Sequence, residues 1–521
     1  MKTLLFGLDG ATFTVLDHLV ALGVMPNLGR FLERSCRAAL ASTALPVTPQ
    51  AWTSMSTSRT AGHHGLHDFI RREQSNGTVF WRVNDARDNH CETIWKYASR
   101  NDRRVTVLNY FGVAPPEPIN GHSMPGFVSG RHLRRATWPS DLFARLQDLP
   151  GLDMKILGLD LDVERLALQD MADDDWAPWI RHHIQREQAW FRVLEYLMVH
   201  EPSDLTAIVL DGVDKIQHLA WRYLDPALLP EKPNAWEQEI IGLVRSYFRQ
   251  VDDFLGRLVD LVGPEARVVI ASDHGFTQTT EVVYINRWLA DQGWLTFREQ
   301  VAEDDTNALF SPRLADLANA IDLDRTKAYA LLPSCNGIYL NVPPEAQAAF
   351  RAELVERLAT LRAPDGGQVI TEVKIREEWF PGPYMDRIPD LTLTLRDHGF
   401  ISVLNSAAAV APRQRPSGTH HPHGVVVVSG PGVRAGQQAG LQSILDIAPL
   451  LAHSLELPVP EEYEGRFPEA MFEEAFLQEH PLALGQASAE GVAWEGELAA
   501  VSEEDDQAII LERLKSLGYI E

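Results

Sequence analysis

Four stretches far apart in the chain carry side chains that ligate metals. Asp9 closes LLFGLDG, Asp214 and His218 lie in IVLDGVDKIQH, Asp273 and His274 in VVIASDHG, and His420 in SGTHHPHG. Carboxylate mixed with imidazole suits a borderline divalent cation, with zinc favoured and manganese the alternative. A fifth stretch, Val47-Thr48-Pro49-Gln50-Ala51-Trp52-Thr53, offers a hydroxyl that a cation could activate. The chemistry expected is two-metal hydrolysis of a phosphate ester. Each stretch alone has a plainer reading. An Asp after a strand commonly closes a turn, an Asp-x-x-x-His pair lies on a solvated helix face, and His420, His421 and His423 could simply fill a loop. The inference comes from the set, which a single sheet could gather.

Local spacing adds detail. Asp214 and His218, four apart on a helix, share a face and could grip one ion. Asp273 and His274 are adjacent, so in an extended loop they should diverge and could serve two ions. Thr48 precedes Pro49, which disfavours helix at Thr48 and suits the first helical position itself. Thr48 is therefore expected as an N-cap, where free amides and the helix dipole favour an alkoxide and a bound phosphate. Such a threonine also serves simply as a cap.

These residues need elements to position them. Strand-length apolar runs occur at Thr3–Leu8, Arg104–Asn109, Leu205–Leu210, Arg267–Ala271, Leu391–Leu395 and Val425–Ser429. Several are almost continuously apolar, as in a sheet covered on both faces. A helical pattern runs from Trp236 to Leu261, and Ser443 could cap another helix. The fold class expected is α/β, a mainly parallel central sheet flanked by helices. Residues 1–281 and 388–458 are read as a metal-binding core. Residues 282–387, with a short helix (Asn286–Gln292), an acidic loop (Glu303-Asp304-Asp305) and a strand pair near Ala328–Leu332 and Gly337–Asn341, are read as an inserted cap that sets substrate choice. Residues 459–521 are read as an acidic, solvated extension ending in a docked helix, AIILERLKSLGYI.

Length and composition bound the rest. The chain has 521 residues, 45% of them hydrophobic, enough for a large core. With 47 Lys and Arg against 72 Asp and Glu, the net charge of −25 argues against long nucleic acids as partners. It leaves room for a small phosphate ester or nucleotide, because bound cations reverse the local field. Cys36, Cys91 and Cys335 show no disulfide framework. The short run before Asp9 does not resemble a leader, and no run is apolar enough to span a membrane, so a cytoplasmic location is expected.

The ordered segments LLFGLDG, MPNLGRFL, LPVTPQAWTSMSTSRTAGHHGLHDF, VLNYFGVAPPEPINGH, VDKIQHLAWRYLD, SDHGF, YINRWLADQGWL, PYMDRIPDL and SGTHHPHG resemble the type I phosphodiesterase/nucleotide pyrophosphatase family of the alkaline phosphatase superfamily. The resemblance runs to about Leu455. It implies two zinc-type ions beside a Thr or Ser nucleophile. Asp9, Thr48, Asp273 and His274 would surround one ion, and Asp214, His218 and His420 the other. Thr57-Ser58 and His64-Gly65 stand where relatives have Thr-Gly and His-Gly, which favours Thr48 over Thr53 as nucleophile. Relatives of the pyrophosphatase branch carry Phe-Pro-Asn after the nucleophile, the Asn contacting phosphate. Pro49-Gln50-Ala51 replaces that triplet here, leaving Gln50 or Asn109 as the candidate phosphate donor. The resemblance implies hydrolysis of a phosphodiester or nucleotide pyrophosphate through a phospho-threonine intermediate. Alternatives are a phosphomonoesterase, a phosphonate hydrolase, a phosphoglycerate mutase-like enzyme, or a catalytically silent metal-binding protein. Trp52, Phe69, Asn109 and Tyr384 are candidate walls of the site, although the aromatic ones are better read as core. Arg59, Arg71 and Arg72 are close to the nucleophile only in sequence.

Overall fold

The strand Thr3–Leu8 shows how the centre of the molecule is covered on both faces. Leu4, Phe6 and Leu8 join one apolar cluster with Trp190, Leu194, Val244 and Phe248, while Leu5 joins another with Trp52, Met55, Ile94 and Leu450. Alternation along a strand sends successive side chains to opposite faces, so a run that is apolar throughout needs helices on both sides. Gly7 is the exception on the second face. A Cβ there would lie 2.7 Å from the Trp52 ring, so the glycine lets the indole rest against the strand.

In this computed structural model, residues 1–75, 78–160, 163, 171–298 and 320–485 are described. Eight strands form the main sheet: β1 (Thr3–Leu8), β2 (Ser35–Ala41), β3 (Val105–Tyr110), β4 (Gly121–Pro125), β5 (Leu205–Leu210), β6 (Arg267–Ala271), β7 (His423–Ser429) and β8 (Gln442–Ser443). Their spatial order is β8-β2-β7-β6-β1-β5-β3-β4. All neighbours run parallel except β7, which is antiparallel to β2 and β6. Four helices bear on the site: α1 (Thr48–Thr57), α2 (Asp173–His200), α3 (Gly212–Ala220) and α4 (Ala235–Val262). The expected Trp236–Leu261 helix is α4, started by a capping box between Asn234 and Glu237. Ser443 caps a short 3-10 turn, Ile444–Asp446, that leads into the helix Ile447–Ser454.

The chain leaves the main sheet through a long ribbon, Gly275–Tyr284 paired antiparallel with Val410–His421. Between its arms lies a second sheet of four antiparallel strands, in the order Ala328–Tyr329, Gly337–Leu340, Leu391–Leu395, Ile370–Ile375. Leu391–Leu395 was expected in the main sheet. Its alternation of Leu with Thr suits this smaller sheet, where it pairs with a strand on each side and buries all three leucines. After Pro458 the chain is less solvated than its composition suggests: Phe467, Met471 and Phe472 are buried, and the Arg267 guanidinium lies over the Phe472 ring. The acidic run at Glu303-Asp304-Asp305 and the predicted terminal helix lie outside the described residues.

Candidate metal centre

β1, β5 and β6 end level. Leu8 pairs with Leu210 and Gly7 with Ala271. Asp9, Asp211 and Ser272 therefore leave the sheet at one edge, the carboxyl edge where open α/β sheets collect ligands. His420 arrives by the ribbon, in register with Phe276 and two residues from His274 in pairing. The result is two groups of three. Asp9, Asp273 and His274 form one and Asp214, His218 and His420 the other, with ligand atoms inside each group within 4.8 Å of one another. Asp273 and His274 thus do not diverge. The turn after β6 folds both side chains into the same group.

The donors fit divalent cations. In the second group Asp214 Oδ1 lies 3.3 Å from both His218 Nε2 and His420 Nε2, which are 3.1 Å apart. A tetrahedral zinc with bonds of about 2.0–2.1 Å has ligand-to-ligand edges of about 3.3 Å. The three atoms therefore trace one face of such a shell. In the first group His274 Nε2 lies 3.4 Å from Asp273 Oδ2 and 3.6 Å from Asp9 Oδ1. All three of those atoms are buried with no hydrogen-bond partner. Leaving such groups unsatisfied costs about 1–3 kcal/mol each, a penalty that coordination removes.

Backbone carbonyls fix the histidine tautomers. His274 Nδ1 lies 3.0 Å from Gly275 O, and His420 Nδ1 lies 2.6 Å from Pro46 O. A carbonyl only accepts, so each Nδ1 holds the proton and each Nε2 turns a lone pair toward its group. Burial holds both imidazoles below their ordinary pKa and hence neutral, as ligation requires. Burial also raises Asp9 well above the usual carboxylate range, with Asp273 and Asp214 adding to the rise, and lifts Asp273 to about 8. Burial pushes Asp214 the same way, but the neighbouring His218 outweighs it and holds that carboxyl well below its ordinary value.

The two groups touch. The His274 and His420 rings stack with centroids 3.5 Å apart and planes 21° from parallel. Gly10 fits between the groups at φ 66°, where a Cβ would meet Phe276, Asp214 Oδ1 and His274 at 3.0–3.2 Å. Its amide donates to Asp273 Oδ1, and its carbonyl accepts from Gln217 on α3.

α1 enters beside this centre. Thr48 is the first residue of the helix, not its cap. Val47, extended at φ −126° and ψ 137°, holds the cap position without a side-chain bond. Two residues before Thr48, the Pro46 carbonyl holds His420; four residues after it, Trp52 Nε1 donates to Asp9 Oδ2 at 3.4 Å. Thr48 and Trp52 share one helix face, and Thr48 is 3% exposed. Trp52 is thus a buried anchor rather than a wall. Gln50 turns its amide nitrogen to His67, 2.8 Å from Nδ1. Asn109 donates to Val209 O and Asp211 Oδ1, so its amide hydrogens serve the framework. Phe69 is buried against Phe111 and Phe127, and Tyr384 stacks on His90. Arg59 pairs with Glu464 and Arg71 with Asp88, while the side chain of Arg72 lies outside the described residues. Sequence reasoning missed the Trp52 anchor and a buried charge cluster behind α3. Alternating a strand pattern with a helix pattern does not reveal which polar residues will meet.

A model of the type I phosphodiesterase/nucleotide pyrophosphatase family matches residues 3–423. Among curated proteins there is no match. Among solved structures, phosphonoacetate hydrolase from Sinorhizobium meliloti 1021, in complex with phosphonoformate, is similar at 16% identity and TM-score 0.54, covering 88% of this chain and 95% of that one. Human ectonucleotide pyrophosphatase/phosphodiesterase 5 is similar at 15% identity and TM-score 0.50, over 90% of this chain and 98% of that one. At these identities the likeness is one of fold.

The charges give a stability test. In the metal-free protein Asp273 near 8, and Asp68 and Glu187 near 7, are raised above unfolded values near 4. Raised carboxyls bind protons in the folded state, so they lose stability as pH rises toward those values. The neutral buried histidines act oppositely, but only below about pH 6.5. Between about pH 6.5 and 8 the melting temperature of metal-free protein should therefore fall, and saturating zinc should raise it and flatten the fall. A zinc-independent profile would contradict the donor assignment. Gly10→Ala should lower zinc affinity measurably, because the new methyl would press on Asp214 and His274; unchanged binding would show that the two groups do not need that close approach.

Proposed function

Because the chain belongs to the type I phosphodiesterase/nucleotide pyrophosphatase family, we propose that it is a two-metal hydrolase of a phosphodiester or nucleotide pyrophosphate bond, with Thr48 as nucleophile. The observation that carries this reading is the pair of ligand groups in stacking contact, entered by a helix that begins at Thr48. Two zinc-type ions would supply charge neutralisation at phosphorus and a lowered pKa for the threonine hydroxyl. Asp9, Asp273 and His274 would hold one, and Asp214, His218 and His420 the other.

The remaining steps belong to the chain. Thr48 Oγ1 gives its proton to solvent and attacks phosphorus in line with the leaving oxygen, which departs with the bonding electron pair and takes up a proton from water, and a phospho-threonine forms. Water then attacks that phosphorus and restores the hydroxyl. First-turn amides of α1 lack intrahelical partners and, with the helix dipole, favour negative charge at this end. Burial keeps both imidazoles neutral, so that neither competes as a cation for the substrate's charge. Pairing of Arg59 with Glu464 and of Arg71 with Asp88 keeps these two guanidiniums from clamping a monoester dianion, which favours a diester over a phosphomonoesterase or mutase reading. A cytoplasmic site of action belongs to the same proposal and rests on three unpaired cysteines. Among the described residues no helix is long and apolar enough to cross a membrane.

Thr48→Ala should lower kcat for bis(4-nitrophenyl) phosphate by at least about 10³-fold, or about 4 kcal/mol, with metal content unchanged. Full activity with both ions bound would remove Thr48 from the mechanism. Wild-type enzyme should hydrolyse this diester faster than 4-nitrophenyl phosphate; the reverse order would favour a monoesterase. Bound metal without turnover of any phosphate ester, pyrophosphate or phosphonate would favour a silent binding protein.

A further inference from the structure

α3 carries Asp214 and His218, yet its own cap residue does not hold its first turn. Asp211 occupies the cap position at φ −79° and ψ −12° and makes no side-chain cap bond. Its carboxylate is turned away to Arg186, Lys215 and Asn109. Glu187, from the middle of α2, takes over: its Oε1 accepts from Gly212 N at 2.8 Å and from Tyr247 Oη at 3.2 Å. Gly212 is what allows this approach, since a Cβ there would stand 2.7 Å from Glu187 Oε1 and 2.6 Å from Tyr247 Oη. Arg186, the neighbour of Glu187, bonds Asp211 and also Asn109 Oδ1 at 3.1 Å. Arg186, Glu187, Asp211 and Lys215 are each no more than 1% exposed.

Buried ion clusters of this kind are weak sources of net stability, because dehydrating the charges offsets most of their attraction. What they supply is geometry. Two consecutive residues of α2 grip two consecutive residues at the start of α3, two or three positions before Asp214. The other group of ligands is held differently, by Gly10 N on Asp273, Trp52 on Asp9 and Ser42 on the Asp273 carbonyl. We propose that Glu187 and Arg186 are positioning residues for one half of the metal centre, setting the Asp214–His218 pair directly and the Asp9–Asp273–His274 group only indirectly, through Gln217 on Gly10 O. The proposal rests on the two-ion reading of those groups.

The test is a zinc titration of full-length protein in metal-buffered solution, with bound metal counted by mass spectrometry. Wild type should bind two ions. Glu187→Ala should bind one with wild-type affinity and the other about 10–100-fold more weakly, the usual cost of losing an outer-shell partner. Glu187→Gln keeps a carbonyl acceptor for the Gly212 amide and should restore most of the loss. Gly212→Ala, which presses on the same oxygen from the other side, should reproduce the one-site defect and serves if Glu187→Ala does not fold. Two unperturbed sites in a folded Glu187→Ala or Gly212→Ala protein, even with a lower melting temperature, would overturn the proposal and leave a purely structural role. A wild-type protein that binds no ions would overturn the two-ion reading and this proposal together, whereas inactivity with both ions bound would count against the hydrolase reading and leave this proposal standing.

Discussion

Three carboxylates and three imidazole rings share one dehydrated crevice, and like charges crowded without water repel. Asp9 and Asp273 respond by holding protons far above the ordinary carboxylate range, and the buried rings respond by staying neutral. Only added positive charge reconciles the crowd with ionised ligands. Much of the surrounding architecture enforces that crowding. A level sheet edge delivers Asp9 and Asp273, a short helix delivers Asp214 and His218, and a ribbon returning from the far side delivers His420.

Small residues make the crowding possible. Gly7 lets Trp52 rest against β1 so that its indole reaches Asp9, and Gly10 keeps the space between the two groups clear. Gly212 performs the same service one layer back, admitting Glu187 to the start of α3. In each case a methyl group would displace a side chain that has few alternatives. The Ser58 backbone tells a related story at the far end of α1. It adopts φ 53°, in the left-handed region that favours glycine, and its hydroxyl donates to Leu445 O and accepts from Gly465 N.

Much of this was legible in the residues themselves. Asp9, Asp214 with His218, Asp273 with His274, and His420 each follow or flank a strand-length apolar run, and such runs announce a sheet whose edge will gather whatever lies just past it. The α4 helix was equally plain, because its apolar period and the stop at Gly263-Pro264 agree. Other features were illegible for physical reasons. Leu391–Leu395 alternates Leu with Thr and is strand-like in either sheet, so its length and β-propensity did not assign it. Whether Asp273 and His274 share an ion depends on the turn after β6, which adjacency does not determine. Arg186 and Glu187 look like the polar face of a long helix until β5 and α3 are packed upon them. The Thr48 boundary moved by one residue because Pro49 is acceptable at either of the first two helical positions.

The ribbon that brings His420 home is also where the chain departs from the main sheet toward the segment between Ile285 and Phe400 and where it returns. Its base is clamped by two stacked rings. The outer segment is also tied to the main body, by Ser334 on Asp68 and Lys374 on Ala44 O. A slip of one position in the pairing at that base would turn His420 to the other face and take its imidazole out of the centre, as one dropped stitch shifts a seam.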